Sequence, residues 1–128
     1  MINHSNFICL HHGSLIVQDL EQAIYFYCQV IGLEQDRQRP DMGFSGVWLN
    51  IGAQQIHLLA LPATEQAIEQ LEHAGRDRHL AIHVRELETI KEKLMANNIS
   101  FTTSRSGRKA LFCRDPDGNG LEFIAIGQ

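Results

Sequence analysis

A chain of 128 residues, 44% hydrophobic and 20% charged, is long enough to enclose a sizeable core and points to one compact domain. Its formal net charge of -4 excludes the broad electropositive footprint of a protein that binds nucleic acid or an anionic membrane, which leaves small molecules as the expected partners. No stretch approaches the eighteen or so apolar residues of a membrane span, and "MINHSNFICL" lacks the basic and apolar regions of a secretion signal, so a soluble cytoplasmic protein is expected.

The first strand reads "LHHGSLIV". Neighbours on a strand point to opposite faces, so His11 and His12 are not expected to serve one site. A helix follows from Asp19 to Ile31, with Asp19 as N-cap and Gln22 at the capping-box position. Leu20, Ala23, Ile24, Tyr27, Val30 and Ile31 form its apolar face, and Gly32 stops it. Three segments of strand character come next: "LEQDRQ", "SGVWLNI" and "QQIHLLAL". The polar stretch from Pro62 to Asp77 reads as a linker with room for one short helix, "TEQAIEQLEHA", ended by Gly75.

The pattern then recurs. "HLAIHV" is a strand, and a helix from Glu86 to Asn97 carries Leu87, Ile90 and Leu94 as its stripe, with Asn97 and Asn98 as the stop. "SFTTS", "KALFCRD" and "GLEFIAI" are strands, the last two joined by "DPDG" at 115 to 118, whose Pro and Gly placement suits a type I turn. Each half therefore reads strand, helix, three strands. Cys9, Cys28 and Cys113 are odd in number and far apart, which suggests neither a disulfide framework nor a paired-thiolate zinc site; all three are expected to be small buried hydrophobes.

Aligning the halves on the helix-starting leucines, Leu20 and Leu87, tests the repeat. His12 lies eight residues before Leu20 and His79 eight before Leu87; His57 lies 37 after Leu20 and Glu122 lies 35 after Leu87. The frame selects His12 over His11. First and last strands thus carry two matched pairs of polar groups, and each pair converges on one face if those strands are sheet neighbours.

An ionised carboxylate within "GLEFIAI" costs several kcal/mol unless paired or bound to a cation, and a lone strand histidine is more often a hydrogen-bonded core residue than a ligand. Joint placement at repeat-equivalent positions favours a metal site. Three imidazoles and a carboxylate suit a divalent first-row ion such as Zn, Ni, Co, Fe or Mn, and suit Ca or Mg poorly. Four protein ligands leave one or two places open for water or a chelating substrate, as catalytic sites do. The alternative is a degenerate site whose members only hydrogen-bond to one another.

His83 shares strand parity with His79 and reads as a packed or rim residue, while His4 and His73 are expected to be solvated. The basic group Arg105, Arg108, Lys109 and Arg114 could hold an anionic substrate, or form a solvated hairpin face. Trp48 could line the pocket, although a lone Trp is more often core. No phosphate-binding glycine loop, nucleophile elbow or dinucleotide fingerprint appears.

"HHGSLIVQDLEQAIYFYCQVIGL", "GAQQIHLL", "RHLAIHVREL" and "LFCRDPDGNGLEF" resemble the vicinal oxygen chelate superfamily, which includes glyoxalase I, fosfomycin-resistance proteins, methylmalonyl-CoA epimerase and extradiol dioxygenases. The resemblance covers nearly the whole chain. It implies an α+β fold of two paired βαβββ modules forming a curved, cupped mixed sheet, one module at about 7–61 and the other at about 78–127, with the metal site often completed across a homodimer. Carried over, it makes His12, His57, His79 and Glu122 metal positions; glyoxalase I usually has a carboxylate or amide where this chain has His57.

The expected activity is that of a glyoxalase I-like lyase or isomerase binding adjacent oxygens of a small substrate. Glu122 and His57 would be ligands that also act as general bases by transient detachment, and Arg108 and Trp48 would contact substrate. Thiol transfer to an epoxide, oxygen-dependent ring cleavage and non-catalytic sequestration of a drug-like molecule are the alternatives.

Overall fold

The computed structural model of the chain describes residues 6–62, 72–104 and 106–126. His4, Arg105 and most of the expected linker helix lie outside these residues. The first half supplies β1 (His12–Val17), a helix α1 (Leu20–Ile24) that continues as a π-helix (Tyr25–Ile31), β2 (Glu34–Asp36), β3 (Gly46–Ile51) and β4 (Gln54–Ala60). The second supplies β5 (His79–Val84), α2 (Leu87–Ala96), β6 (Phe101–Thr103), β7 (Ala110–Arg114) and β8 (Gly120–Ala125), preceded by a single 3-10 turn at Ala74–Arg76.

Two four-stranded mixed sheets result, in the orders β1-β4-β3-β2 and β5-β8-β7-β6. In each, the first strand runs parallel to the last, because the intervening helix carries the chain back across the sheet, while hairpins make the other pairings antiparallel. The ladders are equivalent in register. His12 stands opposite Gln55 and Ser14 opposite His57; His79 stands opposite Gly120 and Ala81 opposite Glu122. Each first-strand histidine is therefore a diagonal, same-face neighbour of the last-strand candidate.

One face of each sheet is core. Val17, Val47, Leu49, Ile56 and Leu58 on the first sheet, and Ile82, Leu111, Cys113, Leu121 and Phe123 on the second, pack against α1, its π extension and α2. Asp19 caps α1 by accepting from the Gln22 amide at 3.1 Å, and Gly32 ends the π segment at φ +100. The wider π winding, in which the Gly32 amide reaches back to the Tyr27 carbonyl at 3.1 Å, turns both Phe26 and Tyr27 inward, where an unbroken α-helix would bury Tyr27 with Ala23 and Ile24. α2 ends as expected: Asn98 takes the left-handed conformation at φ 57 and the Ile99 amide donates to the Leu94 carbonyl.

The modules meet where α2 packs against the π segment and where the Leu80 side chain of β5 reaches β1. A Cβ on Gly13 would stand 3.2 Å from a Leu80 methyl, so glycine leaves room for that side chain. The 115–119 turn ties the far end: Asn119 Nδ2 donates to the Ile16 carbonyl at 3.1 Å, and the Gln18 amide donates to Asp117 Oδ1 at 2.9 Å. Of the cysteines only Cys113 is buried as expected; Cys28 is half-buried, and Cys9 is exposed because it precedes β1 and packs under no helix.

Candidate metal and substrate site

The opposite face of each sheet carries the polar candidates; it is open on the first sheet, and on the second it is partly covered, with Ala110, Phe112 and Glu122 buried beneath the 3-10 turn and its flank. On the first sheet His12 is exposed and His57 and Trp48 half-buried. Their rings form a pile: Trp48 lies on His57 with centroids 4.6 Å apart, and His57 lies on His12 at 3.8 Å and 12°. Trp48 is therefore a wall of the open face and is absent from the core. Imidazole lone pairs lie in the ring plane, so this stack keeps them in two nearly parallel planes 3.8 Å apart at the centroids, and one ring must tilt for both to point straight at a single ion. Burial, with the neighbouring His12, His11 and Arg39, holds the His57 pKa below its ordinary value, and Asp36 opposes the shift.

His11 departs from expectation. It precedes the regular strand, so strand alternation does not govern its ring, and its Nδ1 lies 2.8 Å from His12 Nδ1.

On the second sheet Glu122 is 2% exposed despite its charge. Its Oε1 is 3.0 Å from His79 Nε2 and its Oε2 accepts from Arg108 Nη2 at 3.2 Å. His79 Nδ1 is 2.9 Å from the Asp77 carbonyl. A carbonyl only accepts, so Nδ1 carries the proton and a neutral His79 presents the bare Nε2 lone pair to the carboxylate. Two acceptors at hydrogen-bond distance require a cation or a proton between them. Metal-ligating histidines commonly donate their second ring N–H to a carbonyl, as His79 does, so this pair of side chains could supply two of the ligands of a divalent ion.

The structure gathers the four candidates as two pairs on two sheets. Among the described residues no group of three or more His, Cys, Asp or Glu side chains is placed to hold one ion. Arg114, expected with the free basic cluster, pairs with Asp77 at 3.1 Å and donates to the Gly118 carbonyl. His73, expected in solvent, is buried: its Nδ1 is 2.6 Å from Thr102 Oγ1 and its ring stands edge-on to Phe112, because the 3-10 turn folds the end of the linker onto β6 and β7. His83 is exposed on β5, and Lys109 is exposed beside β7.

Sequence reasoning missed Asp115. It is 5% exposed, and every partner of its carboxylate is a donor: the Asp117 and Asn119 amides and Asn119 Nδ2, each within 2.9 Å, and Tyr27 Oη at 2.7 Å. Burial raises its pKa against the pull of these donors, and burial with Asp115 alongside raises that of Tyr27. The "DPDGN" turn was legible, but its reach across to the first helix was not.

Two four-stranded mixed sheets, each built as strand, helix and three strands with polar side chains on the face away from the helices, define the class of paired βαβββ proteins. The chain belongs to the Glyoxalase/Bleomycin resistance protein/Dioxygenase superfamily, whose sequence model matches residues 9–123. It is 26% identical over 119 residues to Glyoxylase I 4 of Arabidopsis thaliana, spanning 89% of this chain and 68% of that one. Among solved structures it resembles a putative glyoxalase family protein from Bacillus anthracis, with a TM-score of 0.74 at 24% identity over 98% of both chains. It also resembles the fosfomycin resistance protein FosX from Listeria monocytogenes, crystallised with Mn(II) and 1S,2S-dihydroxypropylphosphonic acid, with a TM-score of 0.74 at 18% identity over 93% of this chain and 92% of that one. No helix among the described residues is long and apolar enough to cross a membrane.

Proposed function

We propose that this protein is a cytoplasmic, metal-dependent enzyme of the glyoxalase I-like lyase or isomerase kind, in which His12, His57, His79 and Glu122 hold one divalent first-row ion. The observation that carries this reading is His79 Nε2 set 3.0 Å from Glu122 Oε1, with Nδ1 committed to the Asp77 carbonyl. When bound, the ion would supply Lewis-acid stabilisation of charge on adjacent substrate oxygens.

The chain's own residues supply the rest. Glu122 is a buried carboxylate able to hold a proton taken from the substrate, and His57, with its pKa held low, is a second base. Arg108, more than half exposed, orients an anionic substrate group. Trp48 walls the open face. The separation of the ligands into two pairs supports a homodimer in which the first sheet of one copy faces the second sheet of the other.

Tag-free protein, with His12→Ala and Glu122→Ala variants, tests this by elemental analysis and light scattering. Near-stoichiometric transition metal in a dimer, lost from both variants, is the expected result and directs screening to hemithioacetals, epoxides and catechols. A protein that stays metal-free after reconstitution overturns the enzyme reading. The pairing of Arg108, Glu122 and His79 would then be complete in itself, and the open faces would belong to a sequestering binder.

A further inference from the structure

We infer that Gln55 is a positioning residue that fixes the proton of His57 on Nε2 and thereby presents Nδ1 to the site. The inference follows from the direction of a hydrogen-bond chain that ends on a carboxylate. The Gln38 amide, which can only donate, binds Asp36 Oδ1 at 3.0 Å. The other carboxylate oxygen, Asp36 Oδ2, lies 2.9 Å from Gln55 Nε2, and Asn50 Oδ1 lies 2.9 Å from the same nitrogen. An ionised carboxylate only accepts, so the Gln55 amide group must face Asp36 with its NH2. Its carbonyl is then turned the other way, and Oε1 lies 2.8 Å from His57 Nε2. A carbonyl oxygen also only accepts, so His57 Nε2 must carry the hydrogen and a neutral ring has its lone pair on Nδ1.

Register explains why the four residues meet. Gln55 and His57 are two apart on β4 and share a face; Asn50 is the β3 partner of Gln55, and Asp36 is the β2 partner of Trp48, which is itself the β3 partner of His57. The relay crosses three strands on the open face. The result mirrors the second sheet with the nitrogens exchanged: the Asp77 carbonyl takes the Nδ1 proton of His79 and leaves Nε2, whereas Gln55 takes the Nε2 proton of His57 and leaves Nδ1. Among the described residues His57 Nδ1 has no hydrogen-bond partner, and the ring is held between Trp48 and His12. That Nδ1 is the atom offered to an ion rests on the function proposed above; the tautomer itself does not.

The test reads the ring nitrogens of His57 in metal-free, 15N-histidine-labelled protein, at a pH of about 8 where an imidazole is neutral. A His57→Gln spectrum assigns the signals. In the native protein Nε2 is expected to show the protonated shift and Nδ1 the unprotonated one. A hydrogen bond of ordinary net worth gives roughly a fivefold bias between tautomers. Gln55→Leu should remove that bias. Gln55→Glu, which still accepts from Nε2, should restore it. Asp36→Asn frees the Gln55 amide to flip and should weaken the bias without touching His57, which a merely structural role for Gln55 would not predict; it also serves if Gln55→Leu does not fold.

An Nδ1-protonated ring in the native protein, or shifts unchanged in both Gln55→Leu and Asp36→Asn, overturns the inference. Metal content of the same native sample separates the two readings. The expected tautomer in a protein that takes up no metal leaves the positioning role standing and removes the enzyme reading, and the wrong tautomer removes the positioning role whatever the metal content.

Discussion

Tyr27 Oη donates to Asp115 Oδ2 at 2.7 Å, joining the π segment of the first module to the β7–β8 turn of the second across 88 residues of chain. Both groups are buried, and Asp115 has three further donors, so the pair is a joint between the repeats as well as a turn support.

Tyr27→Phe keeps the ring and removes one donor to a buried carboxylate. The expected loss of stability is about 1–3 kcal/mol, the range for an interior hydrogen bond to a charged group. Urea unfolding with an unchanged m-value checks it, and an effect under a few tenths would show that the modules are held together without this joint.

The raised pKa of Asp115 gives stability a pH dependence of definite sign. A carboxyl that holds its proton more tightly folded than unfolded contributes stability that is fully present below the unfolded carboxylate pKa and lost as pH rises through the folded value. The margin of the native protein over Asp115→Asn should therefore widen as pH falls from neutrality through that window. Paired urea titrations at several pH values measure it, and a margin that narrows on acidification would mean the four donors outweigh burial.

Gly120→Ala should damage both fold and site. A Cβ there would lie 2.7 Å from the Arg78 carbonyl oxygen and 3.1 Å from His79 Cβ, so β5 must shift and carry His79 away from Glu122. A loss of about 2 kcal/mol is expected from such backbone overpacking. Calorimetry reads the drop in Tm, and elemental analysis checks that the metal proposed above is lost with it.

Arg108→Ala and Glu122→Gln should separate substrate binding from metal binding. Arg108 meets Glu122 at Oε2 alone, its Nε donating instead to Ser106 Oγ, and is largely exposed, so its removal should leave metal content intact and raise KM for an anionic substrate roughly tenfold, the worth of one charged hydrogen bond. Glu122→Gln should lose the metal. Loss of metal in the Arg108 variant would assign that guanidinium to holding Glu122 in place.

Amino-acid order by itself determined the repeat, because each half carries its own helix caps, turn residues and apolar periodicity, and these are local signals. The matched spacing of His12 with His79 and of His57 with Glu122 was legible for the same reason, and the two ladders place these residues in equivalent registers. Only the tertiary structure decided what distant segments do to one another. The π winding of Tyr25–Ile31 buries Phe26 and Tyr27 together, and no propensity announces it. His73 is buried because a turn folds it onto Phe112; Arg114 finds Asp77 and Asp115 finds Tyr27 because sheets bring them close. The direction of the Asp36, Gln55 and His57 relay needs three strands in register before any proton has an assigned place. Periodicity and capping act within a few residues, whereas pairing, burial and hydrogen-bond polarity exist only once the chain has closed on itself.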